Sequence, residues 1–210
     1  MTRASILVSG GGANLQSILD SYYFREIPGL EIGAVISSVP GVHALERARS
    51  AGVPTYVVER ALFPNNASFS NALLGKLRDL DTDLVVTAGF GEKLGYTVLH
   101  FYKNRVIAVQ PTLFPAFCEN GFDPVTAPER MIKLGVRYAG ATAYFMTEED
   151  NGVGPIIAQQ PVEVQPGDDA AALQERIMRC GEWAVLPKAV SLYCQGRLEV
   201  DGQRVIIKQV

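Results

Sequence analysis

The sequence predicts an α/β fold: a mostly parallel central sheet flanked by helices, with a long C-terminal helix and a hairpin. Three observations carry this prediction. Short apolar runs alternate with stretches of helical spacing through the first half of the chain. Those runs are continuously apolar rather than alternating, the pattern of strands covered on both faces. Near the end, a long helical stretch is followed by two strand-like runs around an Asp-Gly turn.

The elements follow in order. Ala4 to Ser9 is a short apolar strand ended by Gly10-Gly11-Gly12, and Leu15 to Tyr23 continues with helical spacing. Glu31 to Ser37 reads as a second strand, broken by Val39-Pro40-Gly41. Ala44 to Ala51 is a helix with apolar residues on one side, stopped by Gly52, and Pro54 to Val58 is a third strand. Phe69 to Leu80 places Leu73, Leu74, Leu77 and Leu80 at three- and four-residue steps, which is helical. Asp83 to Ala88 and Arg105 to Val109 are further strands. Crossovers between parallel strands are nearly always right-handed, so this half is expected to be doubly wound and Rossmann-like. Thr112 to Pro128, rich in Pro, Phe, Gly and Asn, reads as a long irregular loop of the kind that is often functional. Strands are expected at Tyr138 to Met146 and Ile156 to Val164. Asp168-Asp169 should cap a helix from Ala170 to about Cys194, and Leu198 to Lys208 should close as a hairpin around Asp201-Gly202.

The 210 residues fit a single domain, residues 1–210, able to bury roughly 70% of its unfolded surface without disulfide or metal. Net charge is −3, and no Lys/Arg cluster is present, so nucleic acid is not an expected partner. The start, Met1-Thr2-Arg3-Ala4, carries no secretory apolar segment, and no run of about 18 apolar residues offers a membrane span. Cys118, Cys180 and Cys194 are odd in number and widely spaced, with no CxxC pair, which reads as reduced thiols rather than a disulfide framework or zinc site. The expectation is a soluble cytoplasmic protein, monomer or homodimer, without a metal.

Ser9-Gly10-Gly11-Gly12-Ala13-Asn14-Leu15-Gln16 lies between a strand and a helix. Glycines there let backbone N–H groups approach a ligand, and the helix N-terminus adds partial positive charge, which together favour a phosphate. The alternative is a plain tight turn. A dinucleotide site would need an acid at the end of the second strand, where this chain has Ser37-Ser38-Val39-Pro40.

The motif Ser9-Gly10-x-Gly12-x-Asn14-Leu15-Gln16 resembles the opening of the phosphoribosylglycinamide formyltransferases. Five more segments resemble that family in register: Leu45 to Gly52, Asp83 to Phe90, Pro111-Thr112-Leu113-Phe114-Pro115, Gly154 to Gln159, and Glu182 with Pro187. The resemblance implies a Rossmann-like formyltransferase fold and folate-dependent formyl transfer in purine synthesis, with 10-formyltetrahydrofolate as co-substrate. It implies that Gly12, Ala13 and Asn14 hold a substrate phosphate, with Pro111 nearby and Glu182 on the ribose or glycinamide part. It also implies that Phe90, Gly91, Glu92 and Leu94 line the folate pocket.

At the reacting centre the family uses an Asn and a His in Asn-x-His-Pro, and an Asp before Gly-Pro. Amine attack on a formyl carbon creates an oxyanion, which Asn and His donors would stabilise while the Asp orients the His. This chain reads Ala108-Val109-Gln110-Pro111 at the first place. At the second it reads Glu148-Glu149-Asp150-Asn151-Gly152-Val153-Gly154-Pro155, one residue longer than the family pattern. Counting back from Pro155 puts Gly152 at the catalytic position, with Asn151 beside it. Asp150 is the best substitute carboxylate; alternatively Glu148, Glu149 and Asp150 form a solvated acidic turn. Gly91-Glu92-Lys93 stands where relatives place Met-Arg-Ile, which changes the charge offered to a carboxylate-bearing folate. His43 reads as a solvated residue, His100 as a capping or packing residue, and Cys118 as a plain thiol. Two functions stay open from sequence: a divergent formyltransferase with a rearranged site, and a non-catalytic paralogue binding a phosphorylated metabolite or a protein partner.

Overall fold

A computed structural model describes residues 1–117, 126–148 and 153–209. The chain begins β1 (Thr2–Val8), α1 (Ala13–Tyr23), β2 (Leu30–Ser37), α2 (His43–Ser50) and β3 (Thr55–Val57). It continues α3 (Asn66–Asp79), β4 (Leu84–Thr87), α4 (Tyr96–Phe101), β5 (Val106–Gln110) and α5 (Thr126–Lys133). Then come β6 (Tyr138–Met146), β7 (Val153–Glu163), α6 (Ala170–Arg176), α7 (Trp183–Cys194) and a hairpin of β8 (Leu198–Asp201) and β9 (Arg204–Ile207).

Seven strands form one sheet in the order β3-β2-β1-β4-β5-β6-β7. The first five pair in parallel, and β6 and β7 join antiparallel. The fold expected from the sequence is therefore the one observed. Continuous apolarity has a direct cause here, because successive residues of a strand serve opposite faces. Ile6, Val8, Val35 and Val86 point with Leu15, Ile18 and Leu45 of α1 and α2 into one core. Leu7, Ile36 and Val85 point with Phe69, Leu73 and Leu77 of α3 into the other. Each of those three α3 side chains is fully buried, which contributes roughly 2 kcal/mol apiece.

Helix starts follow their caps. Asn65 accepts from the Ser68 amide at 2.9 Å to open α3, and Asp169 accepts from the Ala172 amide at 2.8 Å to open α6. Asp168 is occupied differently, as a clasp for Arg176 of the same helix.

Two expectations are corrected. The irregular stretch does not run to Pro128, because α5 already starts at Thr126. Pro128 lies in the first turn of that helix, where its missing N–H would have had no partner anyway. Residues 118–125, including Cys118, lie outside the described residues. The C-terminal helix is continuous but not uniform: one π turn, Ile177–Glu182, separates α6 from α7. Gly181 in that turn presses on β6, where a Cβ would stand 3.1 Å from the Ala141 Cβ. Among the described residues no helix is long and apolar enough to cross a membrane.

Candidate functional site

In an open parallel sheet, ligands bind outside the carboxyl ends of the strands where the strand order reverses. Here that point lies between β1 and β4. Ser9 ties the two strand ends together: its amide donates to the Gly89 carbonyl at 2.9 Å, and its Oγ accepts from the Gly91 amide at 2.8 Å. The same hydroxyl lies 2.7 Å from that of Ser38, which follows β2.

The glycine loop leads directly into α1. Gly12 caps the helix at φ 77°, with no side-chain cap and no acid in the first turn. The first helical N–H groups have no intrahelical partner, and this end is left without the usual side-chain substitute. Gly10 and Gly11 face open space, since a Cβ on either would meet nothing within 4 Å. Gly12 is the reverse case, for its Cβ would stand 2.8 Å from the Ala44 Cβ. The loop is therefore closed behind and open in front, with amides free for an anion.

Beside it the structure joins two residues the sequence suggested separately. Asn14 Nδ2 donates to Glu182 Oε1 at 3.0 Å, across 168 positions of chain. The π turn carries Glu182 inward to 9% exposure, where burial raises the carboxyl above its ordinary range despite the Asn14 bond. Asn14 Oδ1 is buried without a partner. A buried acceptor beside a carboxyl with a raised pKa suits a ligand that brings hydroxyl or amine donors.

The end of β5 has a different character. Ala108 lies opposite Tyr144 of β6, and Gln110 opposite Thr142. Ala108, Phe114 and Tyr144 form a buried apolar cluster, with Met146 and Ile156 packed against it. The Phe114 and Tyr144 rings stand 4.9 Å apart. Gln110 and Pro111 are half-buried at its edge. Below them Thr142 fixes the following loop, its Oγ1 donating to the Thr112 carbonyl at 2.7 Å and accepting from the Phe114 amide at 3.0 Å.

The segment after β4 places Phe90 against Phe69, ring centres 6.4 Å apart, and buries Leu94. Glu92 is held by Arg60 at 3.6 Å, so its charge is partly compensated. Asp150, Asn151 and Gly152 lie outside the described residues. His100 packs on the surface: its side chain is exposed, stacked on Tyr96, with Nδ1 3.1 Å from Glu148 Oε1. His43 opens α2 as an exposed residue, Nδ1 3.4 Å from the Gly11 carbonyl. Cys180 and Cys194 are free thiols. Among the described residues no group of three or more His, Cys, Asp or Glu could hold a metal ion.

A glycine nest at the switch point of a mostly parallel sheet with two antiparallel strands at one edge, facing a buried Glu from a C-terminal helix, defines a class shared with known proteins. The chain belongs to the formyl transferase family, whose model matches residues 2–190. Within it the similarity is to phosphoribosylglycinamide formyltransferases. The Escherichia coli protein of that name is 30% identical over 207 residues, covering 95% of this chain and 94% of its own. The crystal structure of glycinamide ribonucleotide transformylase 1 from Symbiobacterium toebii matches with TM-score 0.90 and 36% identity, over 100% of this chain and 95% of that one. The bovine trifunctional purine biosynthetic protein adenosine-3 is 34% identical over 96% of this chain, which spans only 19% of that protein's length.

Proposed function

We propose that this protein is a phosphoribosylglycinamide formyltransferase homologue that keeps a site for a phosphorylated ribosyl ligand and has lost efficient formyl transfer. The observation that carries the reading is Ala108, buried against the Phe114 and Tyr144 rings at the strand end where the family places an Asn donor. Formyl transfer to an amine passes through an oxyanion, and losing one donor to it costs on the order of 10²–10³ in rate. Ala108 offers no donor. The Gln110 amide can donate a hydrogen bond but cannot take up or release a proton, so it cannot serve as a general base. Losses within one catalytic unit do not multiply, yet little activity survives the removal of several members.

Binding is supported by different groups. The amides at Gly12, Ala13 and Asn14 suit a phosphate, and the Asn14–Glu182 pair suits ribose hydroxyls or the glycinamide amine. The co-substrate of the family, 10-formyltetrahydrofolate, finds a partial fit. Phe90 and Leu94 offer an apolar wall for its ring, whereas Glu92 adds a negative charge where its carboxylates would approach. When bound, that group would supply the formyl carbon. The chain's own residues would only hold the acceptor.

Calorimetry with phosphoribosyl glycinamide, and separately with a non-reactive 10-formyl folate analogue, tests the reading. Binding of the phosphorylated ligand with turnover at least 10³-fold below an intact relative is expected. Turnover within tenfold of an intact relative would overturn the loss of catalysis and favour a rearranged site using Asp150. Binding of neither ligand would mean that the fold was inherited without the site.

A further inference from the structure

The glycine loop is shaped from behind by α2. The Ala44 amide donates to the Gly10 carbonyl at 3.1 Å, and Arg47 Nε donates to the Gly11 carbonyl at 2.9 Å. A trans peptide is planar, so its C=O and N–H point in opposite directions. Drawing the Gly11 carbonyl toward α2 therefore turns the Gly12 N–H away from α2. The same holds for the Gly10 carbonyl and the Gly11 N–H. A carbonyl turned the other way would place partial negative charge where a phosphate has to sit.

Arg47 also reaches the helix that the loop begins. Its Nη1 donates to Gln16 Oε1 at 3.0 Å, and Gln16 Nε2 in turn donates to Asp20 Oδ1 at 2.8 Å. Its Cδ lies 3.3 Å from where a Cβ on Gly12 would stand, so the arginine stem and Ala44 together box Gly12 into its left-handed conformation. One guanidinium thus bridges the loop and the first turn of α1. The other base at this place, His43, is a weaker anchor: its ring nitrogen stands 3.4 Å from the Gly11 carbonyl, and the exposed ring also faces Glu46 at 3.8 Å.

We infer that Arg47 is a positioning residue for phosphate recognition: it fixes the Gly11–Gly12 peptide so that the loop and helix amides converge on the anion, without itself touching the ligand. The inference rests on the reading of Gly12 to Asn14 as a phosphate cradle. Lysine does not replace it, because a single ammonium on a flexible stem cannot hold Gly11 O and Gln16 Oε1 in one planar fork.

The test measures Kd for ribose 5-phosphate and for phosphoribosyl glycinamide by calorimetry on the wild type, Arg47→Ala and Arg47→Lys, with Tm recorded for each. Expected are a loss of about tenfold or more in both variants, near 1.4 kcal/mol, and a change in Tm too small to account for it. Guanidinium chloride at sub-denaturing concentration, against matched sodium chloride, is expected to restore part of the affinity in Arg47→Ala and none in the wild type. Should Arg47→Ala fail to fold, Arg47→Lys keeps the charge and most of the stem and carries the comparison. Wild-type affinity in Arg47→Lys, or a loss that follows Tm and resists rescue, would overturn the positioning role alone. Absence of phosphate-ester binding in the wild type would instead overturn the cradle reading beneath it.

Discussion

Around Gly12 the crevice is built from backbone amides, a buried carboxyl and an arginine, whereas around Ala108 it is built from two aromatic rings and aliphatic side chains. Gly12 follows β1 and Ala108 lies in β5, parallel strands of the same sheet with β4 between them. The difference lies in which atoms carry the function. Phosphate recognition by main-chain N–H groups survives most side-chain change, so long as glycine holds the turn. In the proposed reading, oxyanion stabilisation and proton transfer rest on particular side chains, which two or three substitutions would remove without disturbing the sheet. Binding and chemistry can therefore part company within one fold.

The largest expected effect breaks the first region. Gly12→Val places a Cβ within 2.8 Å of the Ala44 Cβ and forces a β-branched residue to φ 77°. We expect it to cost roughly 3 kcal/mol in denaturant unfolding, the sum of strained backbone and overpacking, and to abolish binding of phosphoribosyl glycinamide. Retained binding would show that the ligand is not held at this loop.

Next in size is a change to the second region. Ala108→Asn brings back the family's amide but sets it at a buried position between β4 and β6. An unpaired buried amide costs about 1–3 kcal/mol, and urea unfolding should show a loss in that range. Adding Gln110→His should raise formyl transfer little, because Phe114 and Tyr144 still fill the space beside it. A double variant that turns over at a relative's rate would show that the apolar cluster yields easily and that these two side chains alone limit formyl transfer.

The sequence made the first region legible and hid most of the second. Glycines between an apolar strand and a helix announce a close backbone approach, and continuous apolarity announces a two-sided sheet. The missing donor at Ala108 and the missing proton carrier at Gln110 could also be read. What replaced them could not, because Tyr144 reaches Ala108 only through the antiparallel register of β5 and β6, which no local period encodes. The Asn14–Glu182 bond was hidden because it joins residues 168 positions apart, and the π turn because its hydrogen bonds differ from those of an α-helix by a span of only one residue. Pro128 misled because proline in a first helical turn looks, in sequence, like proline in a loop.

A smaller effect has the opposite sign in stability and binding. Burial raises the Glu182 carboxyl above its ordinary pKa. The folded state thus favours the protonated form, so stability from this group is full below the ordinary carboxylate range and is lost as pH rises through the raised value. Glu182→Gln removes that loss. It should stabilise the unliganded protein at pH 7 by about 1 kcal/mol, the scale of a buried polar group gaining compensation, with the gain vanishing toward pH 4. Affinity for phosphoribosyl glycinamide should fall in the same variant. A gain that persists unchanged at pH 4 would mean that packing, not ionisation, is its source.

The smallest effect asks whether the two regions communicate through the segment between them. Glu92 and Arg60 are each about 30% exposed and 3.6 Å apart, and pairs of this kind contribute at most about 1 kcal/mol. Arg60 has other support, since its Nη1 donates to the Phe63 carbonyl at 2.9 Å and its guanidinium lies over the Phe69 ring. Glu92→Gln should therefore move Tm very little. It removes one negative charge from the approach to Phe90 and Leu94, so a carboxylate-bearing folate analogue should bind a few-fold tighter at low salt, and the gain should shrink as added salt screens it. Phosphoribosyl glycinamide should be unaffected, because the nearest link, Ser9 Oγ accepting from Gly91 N–H, involves no charge. If both ligands tighten together, the Ser9 bond transmits between the strand ends, and the cradle and the reacting end have not diverged as independently as their composition implies.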